Sequence, residues 1–246
     1  MRTIMRKIIP LLLVFAMCLT LAACGNSENT EMAETVQPAS SERENTSVES
    51  DKEQYTEESS SAQQTDGSET ESPTILVAYF SRIGENYSVG NIEKGNTHIV
   101  ADMIAEQTGG NTFEISTITP YPDAYEECVE IAKQEQSEKA RPELAAVVEN
   151  MEDYDVIFLG YPIWWGDMPM AVYTFLESYD FSGKTIVPFC THEGSGLSST
   201  ESSISETCPD SEVLTGLSIR GSVAQNSQDE AGVAVNDWLK EAGFID

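Results

Sequence analysis

The chain has 246 residues, 42 of them Asp or Glu and only 13 Lys or Arg, for a formal net charge of -29. A polymer this acidic is unsuited to nucleic acid or anionic lipid surfaces, and two histidines exclude a multi-histidine metal site. After Cys24 the cysteines are Cys128, Cys190 and Cys208, with no metal spacing and no even-numbered framework, so buried or idle thiols are expected.

Arg2, Arg6 and Lys7 precede an apolar run over residues 8–19, and Leu21-Ala22-Ala23-Cys24 follows. This is the layout of a secretory signal, and the run is short for a membrane-spanning helix. The Leu-Ala-Ala-Cys stretch resembles a bacterial lipobox. The resemblance implies removal of residues 1–23 and lipidation of Cys24, whose several acyl chains would hold the protein stably on the extracytoplasmic side of the bacterial cell membrane. Residues 25–73 are rich in Ser, Thr, Glu and Gln and have almost no large apolar side chains. They cannot bury enough surface to offset the entropy of ordering. With Cys24 at its head, this segment is expected to be a disordered acidic tether, spanning on the order of 35–40 Å as a flexible coil. Residues 74–246 are ample for one domain with a single core.

Within that domain, apolar strands alternate with helical patterns. Residues 75–80 read as a buried strand. Ile99, Val100, Met103 and Ile104 have helical spacing, with Gly109-Gly110 as a stop. Residues 111–116 are a short second strand, Pro120-Tyr121-Pro122 a loop and residues 124–139 a helix. Pro142 fits the first turn of another short helix ending near Met151. Residues 156–161 are the third strand, 170–178 a helix and 185–190 the fourth strand. A polar helix is expected over 199–207, a fifth strand over 212–217, and a last helix over 229–242 before Gly243. The alternation predicts right-handed βαβ units in an α/β, doubly wound, five-stranded parallel sheet of order 2-1-3-4-5, with helices on both faces.

Residues 156–167 read Val-Ile-Phe-Leu-Gly-Tyr-Pro-Ile-Trp-Trp-Gly-Asp. An apolar strand buried on both faces runs straight into two aromatic residues and a Gly-Asp turn. Ligands of open α/β sheets lie beyond the carboxyl ends of the strands, so Trp164 and Trp165 stand where a planar cofactor would bind.

Three segments then resemble the flavodoxin family, over essentially all of 74–246. They are Val77-Ala78-Tyr79-Phe80-Ser81-Arg82, Gly95-Asn96-Thr97, and Tyr161 to Asp167 with Trp165-Gly166-Asp167 at its end. The resemblance implies FMN at the carboxyl edge of the sheet. The family's Ser/Thr-rich phosphate loop is interrupted here by an insertion over 83–94. Either residues 81–86 form the whole loop, which puts Glu85 beside a dianion, or the chain leaves after Arg82 and returns at Gly95. The second, favoured reading surrounds the phosphate with the Ser81 and Thr97 hydroxyls and the N–H groups of Asn96, Thr97 and His98, at a helix N-terminus. Arg82 pairs with the phosphate or faces solvent.

For the ring, the resemblance implies Trp165 as the stacking residue, with Trp164 as the alternative and Pro162 and Ile163 in the same loop. Gly166 permits a peptide inversion toward flavin N5, and Asp167 adds negative charge that disfavours an anionic reduced ring. The loop Thr191-His192-Glu193-Gly194-Ser195-Gly196 would meet the pyrimidine edge through its backbone, Gly194 and Gly196 allowing close approach. It lacks the family's second aromatic, so His192 or Tyr87 is left to cover that face.

The favoured function is an FMN-binding, lipid-anchored electron carrier exchanging electrons with a redox protein or small-molecule donor or acceptor. The alternatives are an FMN-dependent NAD(P)H or quinone-type oxidoreductase, and a surface module that has lost its cofactor. No residue reads as an obligatory acid, base or nucleophile, which favours the carrier.

Overall fold

The computed structural model describes residues 73–246. The signal, Cys24 and all but the last residue of the tether lie outside the described residues. No helix among the described residues is long and apolar enough to cross a membrane.

The strands are β1 (Ile75–Tyr79), β2 (Gly84–Asn86), β3 (Gly90–Ile92), β4 (Asn111–Glu114), β5 (Val156–Pro162), β6 (Thr185–His192), β7 (Glu212–Val213) and β8 (Leu217–Arg220). The helices are α1 (Asn96–Thr108), α2 (Tyr125–Glu138), α3 (Met170–Glu177), α4 (Thr200–Thr207), α5 (Gly221–Asn226) and α6 (Gln228–Glu241). The main sheet runs β4-β1-β5-β6-β7, with β8 also on β6, and every pairing is parallel. Counting β7 and β8 as one interrupted fifth strand, this is the expected 2-1-3-4-5 order.

Alternation along the central strands builds two cores. Leu76, Ala78, Ile157, Leu159 and Tyr161 meet α3 and α4 on one face. Val77, Tyr79, Val156, Phe158 and Phe189 meet α1, α5 and α6 on the other. A strand with both faces covered must be apolar at every position, which is why β1 and β5 have no polar alternation.

Two expectations are corrected, and one segment that carried no assignment gains a structure. The helix after Pro142 does not form. Instead Ile118 N–H donates to the Glu143 carbonyl and Ala145 N–H to that of Ser116, so the chain runs extended beside residues 116–118. Leu144 and Val148 pack against the core from that segment, and only a 3-10 turn at Met151–Asp153 follows. The tertiary contact outweighs the weak local signal.

The fifth strand is interrupted and extends to Arg220. On that edge of β6, the Lys184 and Ile186 carbonyls accept from Glu212 and Leu214. By the two-residue period, Pro188 comes next and has no N–H to return, and pairing resumes at Phe189↔Leu217.

The 83–94 insertion, read without structure, is the β2–β3 antiparallel hairpin. Its base is fixed to the start of α2. Glu85 N–H donates to the Asp123 carbonyl at 2.8 Å, and Tyr125 N–H donates to Glu85 Oε2 at 3.0 Å.

Candidate functional site

The carboxyl ends of β1, β5 and β6 bring three loops together. At the first, β1 delivers Ser81 and Arg82, and the chain re-enters at Gly95 to start α1. Ser81 Oγ accepts the His98 N–H at 3.1 Å, taking one of the donors that a helix start leaves without a helical partner. The contact needs a glycine beside it, because a Cβ at position 95 would stand 2.1 Å from Ser81 Oγ. Thr97 is buried and its hydroxyl pairs with that of Thr191 at 2.8 Å, tying α1 to the end of β6. Asn96 packs against Gly221, where a Cβ would come within 2.3 Å of its Nδ2. Its Oδ1 is buried with no hydrogen-bond partner, a costly condition for a native acceptor.

Arg82 is held as a clamp. Its Nη1 donates to the carbonyls of Ile83 at 3.1 Å and Glu85 at 2.7 Å. Its Nη2 donates to Glu85 and Asp123 carbonyls, and Nε approaches Cys128 Sγ at 3.3 Å. None of these acceptors is a carboxylate. Burial pushes the Cys128 thiol up, with the guanidinium opposing.

The second loop is a tight turn. Trp164 N–H donates to the Asp167 carbonyl at 2.8 Å, and Asp167 N–H donates back at 3.0 Å. Between them Trp165 and Gly166 have φ of 52° and 79°, the mirror-image turn that Asn-Gly usually occupies. Trp164 turns inward, edge-on to Phe80 at 5.3 Å and Tyr121 at 5.1 Å between ring centroids. Trp165 is 51% exposed and lies against α2. Its indole N–H donates to the Val129 carbonyl at 3.2 Å, and Lys133 Nζ stands 5.2 Å from a ring centroid. The Asp167 carboxylate braces the turn, accepting Met168 N–H at 2.8 Å and the Tyr173 hydroxyl at 3.0 Å.

The third loop is organised by its own histidine. His192 Nδ1 accepts the N–H groups of Gly194 at 2.8 Å and Gly196 at 3.1 Å. Those are backbone donors expected to face a ligand. Burial and then Arg220 hold the imidazole pKa below its ordinary value, with Glu193 opposing. Glu193 itself accepts Ser222 N–H at 2.7 Å, fixing the loop to α5.

Two grooves result, and they share Asn86, Tyr125, Ile163 and Trp164. One gathers Asn96, Pro162, Thr191 and His192, with Tyr87 from the hairpin. The other gathers Arg82 and Trp165 with Cys128, Val129 and Ala132 of α2. Ser81, Thr97, His98, Gly166, Asp167, Gly194 and Gly196 line neither, though Ser81 meets His98 and Thr97 meets the groove residue Thr191. Sequence reasoning passed over Tyr125 and Gly221, and met Asn86 only as the end of the unfavoured 81–86 loop. The Ser88-Val89-Gly90 turn between short polar strands was the available signal for the hairpin that carries Asn86.

Fold and loops together define an open parallel α/β domain with a ligand cleft at the strands' carboxyl ends. The flavodoxin family model matches residues 74–239, and the chain belongs to the flavodoxin family. A Bacteroides uniformis ATCC 8492 protein, described as a candidate flavoprotein, is 30% identical over 68% of this chain and 98% of its own, with a TM-score of 0.55. A Bacteroides eggerthii DSM 20697 protein described in the same terms is 29% identical over 69% of this chain and 97% of its own, with a TM-score of 0.56. A Lactobacillus acidophilus NCFM flavoprotein, solved in complex with FMN, is more distant at 20% identity over 63% of this chain and 99% of its own, TM-score 0.49. None of the curated proteins matches the chain.

The residues fit FMN, the family's cofactor. A helix start at Asn96 suits a phosphate, Ile163 and Trp164 line the groove with apolar surface suited to a ring, and the unpaired Asn96 Oδ1 beside that helix start would be an acceptor for a ribityl hydroxyl.

Proposed function

We propose that residues 74–246 form an FMN-binding electron-transfer domain, carried outside the bacterial cell on the 25–73 tether and a lipid on Cys24. The observation that carries the cofactor is Asn96, which lines a groove together with Trp164 and whose buried Oδ1 has no hydrogen-bond partner. Bound FMN supplies the redox chemistry, taking up one or two electrons; the protein positions it. Ser81 Oγ already accepts from His98 N–H, so its own hydroxyl proton is free to donate to a phosphate. The Asn96 and Thr97 N–H groups, at the start of α1, add the helix's partial positive charge. Ile163 and Trp164 exclude water from one side of the ring. Gly166, without a Cβ, leaves the adjoining peptide free to invert.

A carrier needs no acid, base or nucleophile from the chain, and the strong negative charge suits encounter with basic redox partners. A reductase acting on a small acceptor is the second reading, favoured by the groove that adjoins the cofactor cleft across Trp164.

Reductive titration of the FMN-loaded protein, followed by absorbance, tests both. Accumulation of one-electron-reduced flavin supports the carrier. Direct passage to the two-electron level moves the assignment to the reductase, and failure to retain flavin overturns the cofactor. The anchor is tested by fatty-acid labelling in a bacterial host. Label retained by Cys24→Ser would overturn it.

A further inference from the structure

We propose that the groove between the insertion hairpin, α2 and the Trp165 turn is a second ligand site, taking a small planar aromatic anion beside FMN. The assignment rests on the FMN reading for its neighbour, not for its own geometry. The cavity is about 260 Å³, below the roughly 300 Å³ at which drug-sized sites begin. It suits a ligand of about two fused rings.

Its walls are flat. Tyr125 of α2 faces Trp164 and Trp165 of the turn after β5 with aromatic surface, and Val129 of α2 lines the groove beside them. Trp165 holds its place at a conformational cost. A non-glycine residue at φ 52° is strained by on the order of 1–3 kcal/mol. Its indole is nonetheless tied to α2 through Val129 and exposed to 51%. Burial of the indole does not explain that arrangement, whereas a wall for a ring does.

The charge points the same way. In a chain of net charge -29, Arg82 at the inner end and Lys133 over Trp165 both lack a carboxylate within 4.0 Å among the described residues. The Arg82 donors are spent on carbonyls and a thiol, so its charge acts through its field and its flat face rather than through a new hydrogen bond. An anionic aromatic matches both features.

The test is equilibrium dialysis with naphthalene-2-sulfonate, which is neither redox-active nor thiol-reactive, against neutral 2-naphthol. It is run on the protein with and without FMN. Saturable one-to-one binding is expected in both forms, tenfold or more tighter for the sulfonate. Val129→Phe, which fills the groove without altering charge, is expected to abolish it. Lys133→Gln is expected to narrow the preference for the anion without removing 2-naphthol binding. Absence of saturable binding, indifference to Val129→Phe, or equal affinity for the two probes overturns the proposal. Loss of binding on adding FMN also overturns it, by making the groove part of the cofactor site. Should FMN itself not bind, the FMN-free arm still decides this groove separately.

Discussion

Trp164 and Trp165 are consecutive, chemically identical and held in opposite ways. Trp164 is fixed by the core, edge-on to Phe80 and Tyr121. Trp165 is fixed at the surface, by a hydrogen bond to α2 and by a left-handed backbone. The same division runs through the whole site. The Ser81–Thr97 junction and Trp164 are extensions of the buried sheet, while the Trp165 turn and the His192 loop are held by hydrogen bonds at the surface. Parts of the first kind set stability and place a cofactor. Parts of the second kind can change with little cost to the fold, so their conformation has to be explained by what they bind.

The sharpest test is truncation of each tryptophan. Trp164→Ala is expected to cost about 2–3 kcal/mol in urea unfolding, since the ring is half-buried among aromatic residues. Trp165→Ala is expected to cost no more than about 1 kcal/mol, because the indole is half exposed and loses one hydrogen bond and one cation–π contact while the backbone strain stays. Equal losses would dissolve the distinction.

Next in size is Gly95→Ala. Its Cβ would meet Ser81 Oγ at 2.1 Å and the Arg82 carbonyl at 2.7 Å, so the junction must open. A loss of about 1–3 kcal/mol is expected, together with weakened FMN binding measured by flavin fluorescence. Unchanged stability and affinity would show that the junction is not rigid.

Smaller again is Thr97→Val. It strands the buried Thr191 hydroxyl and is expected to cost about 1–2 kcal/mol. Adding Thr191→Val is expected to recover most of that, since an apolar pair leaves nothing unsatisfied. A double variant as unstable as the sum of the singles would show that the pair is not coupled.

How much of this was legible in the sequence follows the same division. The doubly wound sheet and its order could be read because burial on both faces writes an unbroken apolar run into β1 and β5. The Ser81 and Thr97 positions were legible because they sit where a buried strand meets a helix start. The geometry of the parts held at the surface was not. Trp165-Gly166 carries no asparagine to announce a mirror-image turn, nor does the sequence show that the indole lies against α2. Asp167 reads in sequence only as a charge, whereas its carboxylate also braces the turn by accepting from Met168 N–H and the Tyr173 hydroxyl. The helix assigned after Pro142 failed for a related reason. Its backbone partners, Ser116 and Ile118, lie some 25 residues away in the chain, beyond the reach of local pattern. Pro188 did announce the break in the fifth strand, but only once the register was known.

The smallest expected effect concerns the His192 loop, where one imidazole nitrogen holds two backbone donors. That arrangement requires an unprotonated Nδ1, and the folded-state pKa is lowered, first by burial and then by Arg220. In the unfolded chain the side chain titrates near its ordinary value of about 6.5. Between that value and the lower folded one, the unfolded state binds more protons, so the stability due to His192 is complete above the ordinary value and drains away as pH falls through the folded one. His192→Asn removes the titration. The difference in thermal midpoint between wild type and variant is therefore expected to be largest near pH 7.5 and to shrink toward pH 5. Flavin affinity should follow the same course if the loop meets the cofactor, because protonated His192 releases Gly194 and Gly196. Parallel melting curves across that range would show that the loop's order does not depend on the imidazole.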